Sequence, residues 1–140
     1  MSDTQQTLAI IKPDAFGSGK AGLVLAQLEE EGFRIRAARV TRLSRPEAEA
    51  FYAVHRGKPF FGSLVEFMTS GPCMPLALER EGAVTGLREV IGATDPAEAR
   101  EGTVRARFAE SVERNAIHAS DSPENAEKEL AFFFPRTARL

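Results

Sequence analysis

Short apolar runs alternate with amphipathic stretches along the chain, and this pattern predicts strands interleaved with helices. Residues 7–12 are apolar between their two ends and stop at a proline, which predicts a strand buried on both faces. Apolar positions recur at helical spacing over residues 23–28, and Gly32 is a natural end for that helix. Residues 33–43 then predict a second strand, in which arginines lie between apolar side chains.

The middle of the chain predicts two more helices and a third strand. Residues 44–47 have the sequence of a capping box, so a helix begins there. A further helix starts near Pro59 and carries a row of apolar side chains. Residues 73–78 predict the third strand, in which Pro75 indicates an edge position or a local irregularity.

The last third of the chain combines a helix, an irregular stretch, a short strand and a final helix. Residues 82–91 predict the first of these helices, and Gly92 closes it. Residues 92–114 show little regular pattern, which in compact domains often indicates a functional segment. A strand over residues 116–118 follows, and the final helix starts at Pro123 after the N-cap residue Ser122.

The order of these elements predicts an α/β (α+β) sandwich of two layers with a largely antiparallel sheet. A length of 140 residues suits one domain, which we assign to residues 1–140. The net charge of −2 excludes the global basic field that nucleic-acid binders often carry.

Cysteine usage and the distribution of apolar residues bear on the compartment. The single Cys73 excludes an internal disulfide and a multi-cysteine zinc site, and it fits a reducing compartment. The polar residues 4–7 interrupt any secretory signal pattern, and no apolar run approaches the roughly 20 residues that span a membrane. We therefore expect a cytoplasmic protein without a membrane segment.

Three cationic side chains lie at positions that make them candidates for a ligand-binding site. Lys12 ends an apolar strand, Arg88 falls on an apolar helix face, and Arg105 lies in the irregular stretch. Each alone is more often a side chain that reaches solvent along an apolar surface. Together with His118, which has no other assigned partner, they suggest a pocket for a polyphosphate.

His118 itself lies at a strand-to-helix turn, where side chains are often presented to ligands. Glu129 follows about two turns into the final helix, so a chain reversal over residues 119–122 can bring its carboxylate beside the imidazole. A carboxylate that holds one ring nitrogen leaves the other nitrogen free to attack. The ordinary alternatives are a histidine that caps a turn and a glutamate at the border of an amphipathic helix.

Several short motifs, in this order and spacing, resemble the signature of the nucleoside diphosphate kinase family. They comprise residues 11–14 (IKPD), Tyr52 with His55, and residues 59–61 (PFF), 70–72 (SGP), 92–96 (GATDP), 102–105 (GTVR), 115–121 (NAIHASD) and 126–129 (AEKE). The resemblance extends over nearly all of residues 7–134. It implies a ferredoxin-like fold with a four-stranded antiparallel sheet and helices packed on it.

The resemblance also implies the reaction. His118 would take the terminal phosphate of a nucleoside triphosphate and pass it to a nucleoside diphosphate in a ping-pong cycle, with Glu129 and Ser120 supporting its ring. Mg2+ would be held mainly by the substrate phosphates, with no dedicated metal ligands from the protein. Members of the family assemble from dimers into tetramers or hexamers, so the resemblance implies a homo-oligomer.

The nucleotide-binding residues are likewise implied by the resemblance. They would hold the phosphates (Lys12, Arg88, Thr94 and Arg105), contact the ribose (Asn115), steady Lys12 (Tyr52) and enclose the base (Phe60, Leu64 and Val112). Neither a membrane nor a specific nucleic acid is expected as a partner.

The chain departs from the family pattern next to the site. Ala15 replaces a common glycine, so its turn must avoid positive φ. Ala119 replaces the glycine usual after the histidine, and it would strain the chain or shift His118 if that position needs an unusual backbone angle. Two alternatives to an enzyme stay open: a nucleotide-binding module without turnover, and a single-strand nucleic-acid binder, which the charge and the lack of an aromatic-rich strand disfavour.

Overall fold

The computed structural model describes residues 4–140, so residues 1–3 of the predicted domain lie outside the described residues. Its elements, in chain order, are β1 (Thr4–Ile11), α1 (Pro13–Gly17), α2 (Ala21–Glu30), β2 (Arg34–Ala38), α3 (Arg45–Phe51), α4 (Phe61–Met68), β3 (Met74–Glu81), α5 (Ala83–Ile91), α6 (Val104–Phe108), β4 (Ile117–Ala119) and α7 (Pro123–Phe133). Short 3-10 turns follow α3 at Ala53–His55 and α7 at Arg136–Ala138.

The four strands form one sheet in the order β2-β3-β1-β4, and every neighbouring pair is antiparallel. The central strand β1 pairs with β3 along its whole length, whereas β4 pairs with only its last residues. This arrangement confirms the predicted ferredoxin-like fold. Because β4 is short and lies at an edge of the sheet, its residues are close to the loops that precede and follow it.

Both faces of β1 are buried, as its apolar run predicts. Leu8 and Ile10 pack into a cluster with side chains of α4 and α7, and Ala9 and Ile11 pack into a second cluster with α2 and α5. The alternation follows from the period of two along a strand. Two apolar layers therefore fix β1, and β1 in turn fixes the end of the sheet at which Lys12 emerges.

Pro75 lies inside β3, an interior strand, so the predicted edge position is wrong. The alternative, a local irregularity, is present on the side that faces β2. The carbonyl of Pro75 accepts a hydrogen bond from the N–H of Arg39, just after β2 ends at Ala38, and the chains meet again only at the Thr41–Cys73 bridge. The missing N–H of the proline therefore faces a gap in the ladder, where no donor is needed.

Two further predictions differ from the structure. The second strand was predicted over residues 33–43, but β2 is a short strand with a register shift between Ile35 and Ala37. The stretch over residues 92–114 contains the five-residue helix α6, whose N-cap Thr103 accepts a hydrogen bond from the N–H of Ala106. A helix this short has too few turns to produce a hydrophobic period.

The predicted helix ends are confirmed where a cap dictates them. Ser44 and Glu47 form the capping box of α3, and Ser122 caps α7 with Pro123 in its first turn. Gly92 ends α5 with a φ of 89°. None of the helices within residues 4–140 has the length and apolar character needed to cross a membrane.

Candidate active site

His118 is presented by the edge strand β4, where it pairs with Ile10 of β1. Directly opposed residues of an antiparallel pair point to the same face of the sheet, so the imidazole faces the layer that contains α3, α4 and α7. There its ring meets the rings of Phe51 at 5.3 Å and Tyr52 at 6.1 Å, both edge-on. The imidazole is thus held on an apolar wall with one side open to a cleft.

One carboxylate oxygen orients this ring. Nε2 of His118 lies 2.7 Å from Oε1 of Glu129, and the hydroxyl of Ser120 donates to the same oxygen at 2.7 Å. Because a carboxylate accepts, Nε2 carries the proton and Nδ1 keeps its lone pair. The arrangement that the sequence suggested for His118, Glu129 and Ser120 is therefore present as a contact, and it leaves Nδ1 with a free lone pair.

We expect Glu129→Gln to slow phosphorylation of the protein by about a hundredfold, because an amide can offer the ring an N–H and no longer matches the charge that develops on it. Ser120→Ala should slow it less, since Ser120 touches only the carboxylate. The rate of label incorporation from γ-labelled ATP in a single turnover measures both. Incorporation at the wild-type rate in Glu129→Gln would contradict the orienting role.

A cleft of about 850 Å³ opens in front of His118. Among its lining residues are most of the predicted site residues: Lys12, Tyr52, Leu64, Arg88, Thr94, Arg105, Asn115, His118 and Glu129. Ser120 lies buried behind Glu129. Phe60 and Val112 do not line the cleft, and their side chains are 46% and 53% exposed. The structure therefore brings the phosphate-binding candidates together and leaves two of the three base-binding candidates on the surface.

Lys12 enters the cleft at the end of β1 with only 7% of its surface exposed. Its ammonium donates to Oδ1 of Asn115 at 2.8 Å. Burial, assisted by the nearby charge of Arg105, lowers the pKa of Lys12 to about 8, while Asp14 acts in the opposite direction. Lys12 is consequently charged at neutral pH but loses its charge as the pH rises through about 8.

Arg105 is buried on α6, and its guanidinium donates to three backbone carbonyls. These belong to Asn115 at 3.3 Å, Gly92 at 3.1 Å and Ile117 at 2.7 Å. Burial and the charge of Arg88 lower the pKa of Arg105 to about 10, so it remains a cation at neutral pH. Of the five N–H donors of a guanidinium, the three in use leave two for a ligand.

Gly92, whose carbonyl accepts a hydrogen bond from Arg105, lies where no larger residue fits. Its φ of 89° is one that L side chains rarely adopt, and an added Cβ would lie 2.5 Å from the hydroxyl oxygen of Thr103. Thr103 begins the helix that carries Arg105, so the close approach joins the end of α5 to the start of α6. This contact explains how Arg88 and Arg105 reach the same cleft from two helices.

Tyr52 is placed differently from its expected role. Its hydroxyl is buried without a hydrogen-bond partner among the described residues, so Lys12 is held by Asn115 and not by Tyr52. The ring instead stacks on His55 at 6.4 Å and lies edge-on to His118. Burial, together with the charge of Glu129, raises the pKa of Tyr52, which keeps the phenol neutral.

The structure relocates the backbone strain that the sequence suggested at Ala119. Ala119 lies in β4, paired with Ala9, and it has no positive φ. Ala15 is likewise free of positive φ, since it lies in α1. The described non-glycine residue with positive φ is Ala116, at 73°, two residues before His118. Ala119 therefore leaves His118 in regular strand geometry.

Sequence reasoning assigned no role to several residues that line the cleft. Phe51, Asp121, Asn125 and Phe132 belong to this group, and His55 was noted only as part of a motif. Phe51 follows the apolar pattern of α3 and could have been found from its place beside Tyr52. The pKa of His55 is lowered by burial and by the neighbouring charge of Lys58, so its imidazole favours the neutral form.

A nucleophilic imidazole that faces buried cations has the features of a phosphotransferase site, in which positioning and charge neutralisation supply most of the catalysis. Residues 5–138 match the sequence profile of the nucleoside diphosphate kinase family. The chain therefore belongs to the nucleoside diphosphate kinase family.

Individual relatives agree with this assignment over most of their length. The nucleoside diphosphate kinase of Salinibacter ruber is 52% identical over 132 residues, which cover 94% of this chain and 93% of the relative. That of Halorhodospira halophila is 55% identical over 130 residues, which cover 93% of this chain and 92% of the relative.

Solved structures share the fold throughout. The Aquifex aeolicus nucleoside diphosphate kinase superposes with a TM-score of 0.95 at 45% identity, covering 98% of this chain and 99% of that one. The Halobacterium salinarum enzyme, solved in complex with CDP, superposes with a TM-score of 0.93 at 33% identity, covering 97% and 91%.

The activity of this chain is that of its family. It transfers the terminal phosphate of a nucleoside triphosphate to a nucleoside diphosphate by a ping-pong mechanism through a phosphohistidine. Of the hypotheses that the sequence left open, membership of this family favours the enzyme over the nucleotide-binding module and the nucleic-acid binder.

Proposed function

We propose that His118 is the residue that carries the phosphate. The observation that carries this proposal is the 2.7 Å contact between His118 Nε2 and Glu129, which leaves Nδ1 free on a ring that lines the same cleft as Lys12 and Arg105. Nδ1 attacks the terminal phosphorus, and the bond from that phosphorus to the bridging oxygen breaks. The nucleoside diphosphate departs with the electron pair, and the proton on Nε2 stays hydrogen-bonded to Glu129.

The second half of the cycle reverses these events. A terminal phosphate oxygen of a different nucleoside diphosphate attacks the phosphorus on His118, and the P–N bond breaks with its electron pair returning to Nδ1. Neither half consumes water, so exclusion of water from the cleft keeps the phosphoryl group for transfer. The apolar wall of Phe51, Tyr52 and Phe132 around the ring supports that exclusion.

We assign the phosphates to Lys12, Arg88, Thr94 and Arg105, all of which line the cleft. Phosphoryl transfer spreads negative charge over the transferred group, and fixed cations stabilise that charge without rearranging. The buried pair Lys12 and Arg105 is held by hydrogen bonds before any ligand arrives. Arg88 is exposed at the mouth, which suits an outer phosphate oxygen.

The ribose is assigned to the buried Asn115, and the base to residues that include the exposed Phe60 and Val112. Asn115 donates to the carbonyl of Thr94 at 3.4 Å and accepts from Lys12, so its amide is oriented for a sugar hydroxyl beside the phosphates. Phe60, Leu64 and Val112 offer the base apolar contact and no edge donors, which predicts tolerance among bases. The CDP complex of the Halobacterium salinarum relative supports a nucleotide in this cleft.

Mg2+ enters as part of the nucleotide substrate in this proposal. Among residues 4–140, no group of three or more His, Cys, Asp or Glu side chains is arranged to hold a metal ion. The cleft instead supplies cations, so the phosphate oxygens are the hard ligands that Mg2+ prefers. Its contribution when bound is to neutralise charge on those oxygens.

We expect phosphorylated protein, freed of nucleotide, to lose its phosphate to ADP, GDP, CDP or UDP at rates within about tenfold of one another, since apolar contacts discriminate weakly. Each discharge should yield the matching triphosphate and no inorganic phosphate. Chelation of divalent cations should slow all four alike. Transfer of the phosphate to only one of the four nucleoside diphosphates, or its release as inorganic phosphate, would contradict the proposal.

We further propose a homo-oligomer, a tetramer or a hexamer built from dimers, in the cytoplasm. Membership of the family supports the assembly, and the unpaired, buried Cys73 suits a reducing compartment. Light scattering on the purified protein tests the assembly, and a monomeric mass at micromolar concentration would exclude it. Fractionation of the source cells tests the compartment, and recovery in a secreted or membrane fraction would exclude the cytoplasm.

A further inference from the structure

The turn that precedes His118 is strained and buried. Ala116 has a φ of 73° and no exposed surface, and the N–H of Ile117 donates to the carbonyl of Asn115 at 2.8 Å, which closes a γ-turn around it. Such a backbone conformation is strained, and it persists only where the surrounding structure determines it. The carbonyl of Ala116 accepts a hydrogen bond from the N–H of Lys12 at 2.8 Å. The N–H of Ala116 therefore still needs an acceptor.

Asp14 supplies that remaining partner. It lies in the first turn of α1, is 9% exposed, and its Oδ2 accepts the N–H of Ala116 at 3.0 Å. Its other oxygen, Oδ1, is buried and has no hydrogen-bond partner among residues 4–140. A buried carboxylate that accepts only one hydrogen bond needs a nearby positive charge to stabilise it, and the ammonium of Lys12, two residues earlier, provides that charge.

The turn held by Asp14 connects to the proposed reacting groups on both sides. Asn115, which precedes the turn, holds the ammonium of Lys12, and His118 follows the turn by two residues. Arg105 donates to the carbonyls of Asn115 and Ile117, so its guanidinium also depends on the path of this turn. Asp14 itself does not line the cleft.

We propose that Asp14 is a positioning residue for phosphoryl transfer, in which one carboxylate oxygen fixes the turn at Ala116 and the negative charge balances the Lys12 cation behind the phosphate site. The inference rests on the proposed roles of Lys12 and His118. Because Asp14 touches neither substrate nor the reacting atoms, it acts only through these neighbours.

The charge part of this role separates it from simple structural support. Burial lowers the pKa of Lys12 most, the charge of Arg105 on α6 lowers it further, and the charge of Asp14 on α1 raises it. The hydrogen-bond partner of Lys12, Asn115, is neutral. Arg88, His118 and Glu129 line the same cleft, and Asp14→Asn changes none of these three side chains. Removing the charge of Asp14 leaves the repulsion from Arg105 unopposed, so Lys12 should lose its proton at a lower pH.

Asp14→Asn tests this inference, because an amide oxygen can still accept from Ala116 while the charge is gone. The chain has four lysines, so 13C NMR of the lysine ε-carbons can follow each one, and Lys12→Arg identifies the signal of Lys12. We expect its titration midpoint, about 8 in the unmodified protein, to fall by about one pH unit in Asp14→Asn. The alkaline limb of kcat/KM should move in the same direction.

Two further variants complete the experiment. Asp14→Ala removes the acceptor as well, so phosphorylation at pH 6.5 should slow by at least about tenfold, whereas Asp14→Asn stays within about threefold of wild type. Glu79→Gln is the matched control, since it removes a hydrogen-bonded carboxylate at the far end of β3 and should leave the Lys12 titration unchanged.

An unchanged Lys12 midpoint in Asp14→Asn overturns the proposal, as does an equal shift in Glu79→Gln. If Asp14→Ala fails to fold, the NMR titration of Asp14→Asn still decides the question. Failure of the proposed role of Lys12 is a separate result: kcat/KM would then show no alkaline limb that Lys12→Arg alters, while the NMR midpoint would still report on Asp14.

Discussion

Replacing His118 by alanine should abolish phosphorylation of the protein and lower kcat by at least about four orders of magnitude, because the variant lacks the atom that forms the covalent intermediate. Incubation of the wild-type chain with γ-labelled ATP alone should leave an acid-labile label on the protein. The variant should carry none. Its fold should be retained, since the imidazole is part of the cleft wall and its ring is partly exposed.

The chain offers a matched control for this experiment. It has two histidines, and His55 lies in the same cleft, where its Nδ1 is buried and has no hydrogen-bond partner in the described part of the chain. Within residues 4–140 no carboxylate is hydrogen-bonded to the ring of His55, which stacks on Tyr52 and lies tilted against Phe60. We therefore expect His55→Gln to keep the acid-labile label. Label that survives His118→Ala, or that disappears with His55→Gln alone, would show that the phosphate is carried elsewhere.

Arg105→Ala should lower kcat/KM by about 10²- to 10³-fold, whereas Arg107→Ala should lower it less than about threefold. Both arginines lie on α6 and carry the same charge, so the comparison isolates position. Arg105 lines the cleft, while Arg107 is exposed, stacks on Phe108 and donates to Gln27. Steady-state kinetics with ATP and a second nucleoside diphosphate measure the difference. Equal losses would show that the phosphate site has been misplaced.

A second measurement on the same variants separates the contribution of Arg105 to phosphate binding from its contribution to stability. Its guanidinium satisfies three carbonyls from segments that surround the site, so Arg105→Ala should also lower the free energy of unfolding by about 1–3 kcal/mol. Arg107→Ala should change it by less than about 0.5 kcal/mol. Arg105→Lys keeps a cation without the planar fork, and we expect it to recover part of the activity but little of the stability.

The sequence predicted those site residues that a local pattern makes conspicuous. Lys12 and Arg88 were conspicuous because apolar residues surround them at strand or helix spacing, and they share one cleft with Arg105 from the irregular stretch. The contact of His118 with Glu129 followed from a reversal over a few residues, which local geometry can anticipate. The role expected for Tyr52 and the strain expected at Ala119 were residue-level inferences without a spatial neighbour, and both differ in the structure.

Elements of the fold show the same division. Capping residues such as Ser44 and Ser122 predicted helix starts because a cap acts on the next three residues. Pro75 was ambiguous, because the ladder position of a proline depends on whether the neighbouring strand continues beside it, and β2 ends there. The helix α6 was missed because its stability comes from Thr103, Gly92 and the buried Arg105, not from an apolar period of its own.

By itself the sequence determined the order of the four strands and of most helices, the family and the candidate histidine, since these depend on the chemical identity of residues and on spacings of a few positions. Only the tertiary structure decided which ring nitrogen of His118 is free, that the strain lies at Ala116, and that Asp14 supports it. The bonds responsible join residues far apart in the chain: Lys12 with Asn115, separated by 103 positions, and Asp14 with Ala116, separated by 102. Such pairs meet only because the packed sheet brings the end of β1 beside the start of β4, and no local pattern encodes that meeting.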